Sequence, residues 1–241
     1  MLLAFVLLGS ATAPATAIVH EALQAWGLEA ETAEGSYENM CFATDFGTLF
    51  VAYMPAPIPD GEADSAARYS LGALGSEAKW RPHVAHLTVA LAGIEGKPQL
   101  DTVTRFTRAV AAVAQAAEAY GVYWGSGNVA HDAAFFVSGA EEDLPLLLWS
   151  GLSIARSPEE VSLLTTGLRQ FDLPELMVVA KPADGNEALA YLFDLGGYVV
   201  ERGEAIPDGD TVGRTAEEKM RVEYQVSPFH PDERVAVVRL P

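Results

Sequence analysis

The chain has 241 residues, half of them hydrophobic, and 15 Lys and Arg stand against 33 Asp and Glu for a net charge of −18. That apolar content excludes a disordered chain, and the single cysteine, Cys41, excludes an internal disulfide framework. The acid excess argues against nucleic acid and anionic membrane surfaces, which bind through Lys and Arg; residues 1–100 carry −7 and residues 101–241 carry −11, so no acidic tail causes it.

The first element is the apolar run Leu2–Leu8. Ala11-Thr12-Ala13 and Ala15-Thr16-Ala17 behind it imitate a secretory cleavage site. No Lys or Arg precedes the run, and Ile18, Val19, Ala22, Leu23 and Trp26 recur at helical spacing between Pro14 and Gly27. The segment therefore predicts a strand feeding an amphipathic helix over 14–26, in a cytoplasmic protein whose opening run is not cleaved. Residues 40–44 and 48–54 flank Asp45-Phe46-Gly47 as a hairpin. Cys41 reads as a small hydrophobe of its first arm, and Pro55, Pro57 and Pro59 end its second.

A short helix is expected over 63–74, a strand over 83–92, and a long helix over 98–120 that buries Leu100, Val103, Phe106, Val110 and Val113. A short strand at 122–124 leads through a glycine-containing loop to a short helix over 131–137. Residues 146–155 and 161–166 predict adjacent strands, 176–180 another, and 187–202 a helix with Leu189, Leu192, Phe193 and Val199 on one side. After the turn Pro207-Asp208-Gly209-Asp210, residues 219–226 and 234–240 alternate like a hairpin. Local hairpins mixed with helices predict an α+β fold: a mixed, largely antiparallel sheet with helices mainly on one side. The expected unit is 1–241, with a subdivision into 1–130 and 131–241 as the alternative. No stretch approaches the ~20 apolar residues of a membrane span.

Six stretches taken in order carry a resemblance. They are Ala4-Phe5-Val6-Leu7-Leu8, Met54-Pro55-Ala56-Pro57-Ile58-Pro59, His86-Leu87-Thr88-Val89, Val122-Tyr123-Trp124-Gly125, Thr165-Thr166-Gly167-Leu168 and Asp208-Gly209-Asp210-Thr211-Val212-Gly213. The chain resembles, over nearly its whole length, a bacterial family catalogued as domain of unknown function 4261. That resemblance implies a complete cytoplasmic protein and supplies no reaction, cofactor or site residue.

Candidate chemistry begins with histidine. His83 and His86 stand three apart, a spacing that puts them on opposite faces of a strand. His131 follows the strand 122–124 and meets His86 if the two strands are neighbours. The pair is the candidate catalytic acid–base couple. No carboxylate is spaced to complete a metal site, so no metal is expected, and the competing reading is hydrogen-bonded structural histidines. Gly125-Ser126-Gly127-Asn128-Val129-Ala130 has the form G-x-G-x-x-A, but the short helix expected behind it and Trp149-Ser150-Gly151 after the next strand do not suit a dinucleotide. Gly125, Gly127 and Asn128 remain candidates for holding a small ligand at a strand-to-helix turn, with Trp124 as a cleft wall. Neither Ser126 nor Ser150 lies in G-x-S-x-G. Two functions follow. The first is a protein-interaction module, immunity- or adaptor-like, binding a basic partner and neither nucleic acid nor membrane. The alternative is a small-molecule enzyme, a hydrolase, with a cleft near His86, Trp124 and His131. No cofactor is expected for either.

Overall fold

Leu2–Leu8 (β1) is apolar throughout because neighbours bond it on both edges and most of its side chains are buried. It runs antiparallel to Ala85–Ala92 (β5) on one side and to Gly121–Trp124 (β6) on the other. The computed structural model describes the chain except residues 34, 35, 37, 75–81, 95, 97, 229 and 230. The chain forms two units, residues 1–149 and 150–241.

In the first unit Ala30–Thr32 (β2), Asn39–Thr44 (β3), Gly47–Met54 (β4) and Val129–Asp132 (β7) complete a seven-stranded sheet. Its order is β2-β3-β4-β5-β1-β6-β7, with every neighbouring pair antiparallel. The register fixes the faces, since side chains alternate along a strand. Ala4 sits opposite Val89 and Trp124, and Val6 opposite Leu87 and Val122, on one face; Leu7 sits opposite His86 and Gly121 on the other. Thr16–Ala25 (α1) packs on Leu100–Ala116 (α4), and α4 crosses β1 on the Trp124 face, where Phe106 meets Trp124. Glu62–Ala67 (α2) and Leu71–Leu74 (α3) lie against β7. The alanines of α2 join Leu7, Tyr123 and Ala130 in an apolar cluster on the Leu7 face.

Two local expectations fail here. Residues 129–132 form β7, paired back onto β6, and the helix expected over 131–137 is Ala133–Gly139 (α5), started by Asp132, whose carboxylate accepts from the Ala134 N–H at 2.9 Å. The run Leu146–Trp149 is a helical turn (α6) and not the start of a strand. Four apolar residues suit either state, and here Pro145 precedes them while Trp149 is fixed by its indole N–H, which donates to Thr107 at 2.8 Å.

In the second unit Gly151–Arg156 (β8), Val161–Thr166 (β9), Leu176–Ala180 (β10), Thr211–Val212 (β11), Met220–Val226 (β12) and Arg234–Arg239 (β13) form a sheet in the order β11-β12-β13-β10-β9-β8. Only the β10–β13 pair is parallel, because the chain leaves β10 through the helix Gly185–Arg202 (α7) before the β12–β13 hairpin brings it back. β10 is buried at all five positions, and α7 packs on β10 and β9. The fold is α+β with two mostly antiparallel sheets. Among the described residues no helix is long and apolar enough to cross a membrane.

Candidate functional site

The proline-rich strip explains two of the histidines. Met54, the end of β4, pairs with His86, after which the strip leaves the ladder. Pro55, Pro57 and Pro59 have no N–H, and the groups between them need new partners. His83 Nε2 accepts from the Ile58 N–H at 2.7 Å, and His86 Nδ1 donates to the Ala56 carbonyl at 2.8 Å. The His83 proton therefore sits on Nδ1, which is buried and has no hydrogen-bond partner. Burial lowers the pKa of His83, with Asp64 pulling it back up and His86 adding to the fall. Burial also lowers His86, against the opposing bond to Ala56. Both rings are neutral fasteners, with their centroids 6.3 Å apart.

His86 opens onto an aromatic row. Phe5 meets it edge-on at 5.7 Å and stacks on Tyr123 at 5.6 Å. The Tyr123 hydroxyl donates to Glu62 at 2.7 Å and has the Asn128 amide 3.0 Å away. Burial and then the Glu62 carboxylate hold this phenol above its ordinary range, so it stays protonated. Phe5 stands between imidazole and phenol and separates the two polar groups.

His131 and Trp124 occupy the other face. His131 pairs with Val122, which pairs with Val6, whereas His86 pairs with Leu7. The sheet thus lies between the two candidate histidines, and among the described residues no common cleft joins them. Trp124 is fully buried among Phe106, Phe136 and Trp149, with ring centroids 5.4, 6.3 and 6.5 Å away. His131 is fully buried and stacked on Phe135 at 5.4 Å, and neither ring nitrogen makes a hydrogen bond. Burial lowers its pKa to about 4, against an approach of the Leu148 backbone that falls short of a full hydrogen bond. Gly72 leaves the room: a Cβ there would stand 2.3 Å from Phe135 and 2.6 Å from His131 Nδ1.

Gly125-Ser126-Gly127-Asn128 is the loop of the β6–β7 hairpin and not a strand-to-helix turn. A strand follows it, so no helix N-terminus stands behind the G-x-G-x-x-A run to receive an anion. Asn128 takes the left-handed conformation with φ 52°, which lets the chain reverse and brings its amide to Tyr123. Gly125 packs on Phe5, where a Cβ would stand 3.4 Å from the ring. Ser150 is buried, 3.3 Å from the Thr166 carbonyl. Cys41 is half-buried in β3. Among the described residues no three of His, Cys, Asp and Glu converge as a metal site.

A cavity of about 480 Å³ in the second unit was not foreseen. Tyr191, Asp194, Leu195 and Tyr198 of α7 form one wall, spaced i, i+3, i+4, i+7; residues 211–214 form the other. A second cavity of about 290 Å³ shares Tyr198, Thr211 and Val212 and runs to Glu204 and Asp210. Arg214 stands over the Tyr191 ring at 5.7 Å, donating to Glu187 and, at 2.7 Å, to Glu218. Its hydrogen bonds hold Glu218 down at about 2. The signal was legible as a second stripe on the helix, but a helical stripe alone does not separate a cavity wall from a core.

The two resembling stretches of this unit build structure. The buried Glu175 carboxylate accepts from the Thr165 hydroxyl at 2.7 Å and the Gly167 N–H at 2.8 Å, while Thr165 accepts from the Leu176 N–H at 2.9 Å. In the other stretch Asp208 accepts from the Tyr224 N–H at 2.9 Å, and a Cβ on Gly213 would meet the Glu218 carbonyl at 2.0 Å. Residues 164–240 match the model of a family described as a domain of unknown function (DUF4261). That match contains these two stretches; the other four lie before it. No curated protein and no solved structure matches the chain.

Proposed function

We propose, for a chain with a DUF4261-like segment over residues 164–240, a protein-interaction module that binds a basic partner. One observation carries this reading: carboxylates outnumber cations by more than two to one, and six of the arginines are themselves engaged by carboxylates of the same chain. Arg105, Arg108, Arg169, Arg202, Arg214 and Arg239 are each held by a carboxylate of the same chain. With 15 cationic and 33 anionic side chains, this leaves a surplus of carboxylates facing water. Such a field attracts a basic surface and speeds its docking. The partner is then of the kind an immunity- or adaptor-like protein covers, in a cytoplasmic setting. The hydrolase alternative loses its support, because His86 stands on the other side of a sheet from His131 and Trp124.

The test is capture on the immobilised full chain from native lysate at low and at moderate salt. The expected result is one basic protein, retained in stoichiometric amount and released as salt rises. Retention of no basic protein at low salt would refute the proposal. So would a partner whose binding ignores salt.

A further inference from the structure

Residues 55–58 lie outside the ladder, and among the described residues only His83 and His86 bond them to the sheet. Ile58 is the buried residue of this strip, 5% exposed, and it joins Leu7, Ala63 and Tyr123 in the apolar cluster. Pro55, Ala56, Pro57 and Pro59 face water. The strip is a strap closed at a single buried side chain.

The two fasteners answer a proton in opposite ways. His86 holds Ala56 by donating from Nδ1, and a charged imidazole donates there as well as a neutral one does. His83 holds Ile58 by accepting at Nε2, so the lone pair in that bond is the one an added proton takes. A charged His83 sets N–H against N–H, and the Ile58 bond is lost. Its Nδ1 is buried and unbonded, so no second partner fixes the ring.

The charged groups around His83 come from two elements. Asp64 of α2 favours the charged ring, and His86 of β5 opposes it. Glu62, the other carboxylate of α2, takes the Tyr123 hydroxyl, while Asp60 and Arg68 at the ends of that segment are exposed. Neither β1 nor residues 54–59 carry a charged side chain.

We infer that residues 55–59 form an acid-released strap: a proton on His83 frees Ile58 from the apolar cluster, while His86 keeps Ala56 as the pivot. Asp64 then attracts the charged ring, which the open strap leaves room to turn. Burial outweighs Asp64 while the strap is closed, so the closed ring takes a proton less readily than a free imidazole at 6.5. The open form therefore binds the extra proton, and closure weakens as pH falls below about 6.5. Release of the strap needs no partner, so its failure and that of the proposed interaction are separate results.

The test is amide hydrogen exchange of the full chain by NMR from about pH 7.5 to about pH 5, with the His83 ring nitrogens followed in the same samples. The expected result is a His83 proton on Nδ1 at the upper end. As Nε2 takes the second proton, protection of the Ile58 N–H falls about tenfold per pH unit. In His83→Gln, whose side-chain oxygen accepts from Ile58 and does not titrate, protection stays level. His131→Leu keeps the wild-type fall, which separates the strap from acid loosening of the core. A His83 ring that charges while Ile58 stays protected overturns the inference. So does an Ile58 N–H that loses protection only together with the β4–β5 amides, or that loses it equally in His83→Gln. The first two of these are read on the wild type alone and stand even if His83→Gln does not fold.

Discussion

His131 is the residue whose environment departs furthest from what its neighbours in sequence suggest. An imidazole with no hydrogen bond, enclosed by Phe135, Phe136 and Gly72, is easier to keep neutral than charged. Its pKa falls from 6.5 to about 4 on folding, so the unfolded chain binds the extra proton between those values. Its contribution to stability is fully present above about 6.5 and is lost as pH drops toward about 4, a change on the order of 3 kcal/mol. Urea titrations of the wild type and His131→Leu should show that the wild type's stability relative to the variant is constant above about 6.5 and falls toward about 4. A difference that stays constant down to about 4 would refute this placement. Burial lowers His83 and His86 too, so the variant keeps part of the acid slope. The sequence offered hydrogen-bonded structural histidines as one of two readings, and His83 and His86 fit it; their partners, and the unbonded burial of His131, are set by the tertiary structure alone.

At the scale of elements, the loop after β9 is held by one buried carboxylate. Glu175 takes the Thr165 hydroxyl and the Gly167 N–H, and Thr165 in turn satisfies the Leu176 N–H. Thr165→Val removes both bonds of that hydroxyl and leaves buried polar groups unpaired, which costs about 1–3 kcal/mol. Thr166→Val on the next, half-buried position of the strand should be close to neutral. Equal losses in the two variants, measured by chemical denaturation, would show that the Glu175 network does not hold the loop. Strands were the most legible elements, since β1, β4, β5, β12 and β13 follow period-two or fully apolar patterns. The misread elements are short. Residues 129–132 became a strand through pairing with β6, and Leu146–Trp149 a helical turn through burial of Trp149. A four-residue element has too little periodicity of its own to choose a state.

Across the whole molecule, charge is the property that both units share. Residues 1–149 hold 6 cationic and 17 anionic side chains, and residues 150–241 hold 9 and 16, so the units carry −11 and −7. Each compact unit therefore repels itself, and added salt screens that repulsion more than it weakens the local ion pairs. Thermal unfolding should move upward with sodium chloride, roughly 2–4 °C for about 1 kcal/mol of relieved repulsion. A midpoint that falls with salt would mean that the ion pairs outweigh the net charge. The amino-acid sequence by itself determined the acid surplus, the α+β class and the longer elements, because these depend on composition and on patterns within a few residues. Only the tertiary structure decided which face each histidine occupies, what the proline-rich strip bonds to, and where α7 leaves a cavity. Those depend on strand register, in which a shift of one residue exchanges the two faces of a sheet, and no local pattern in β5, β6 or β7 fixes that register alone.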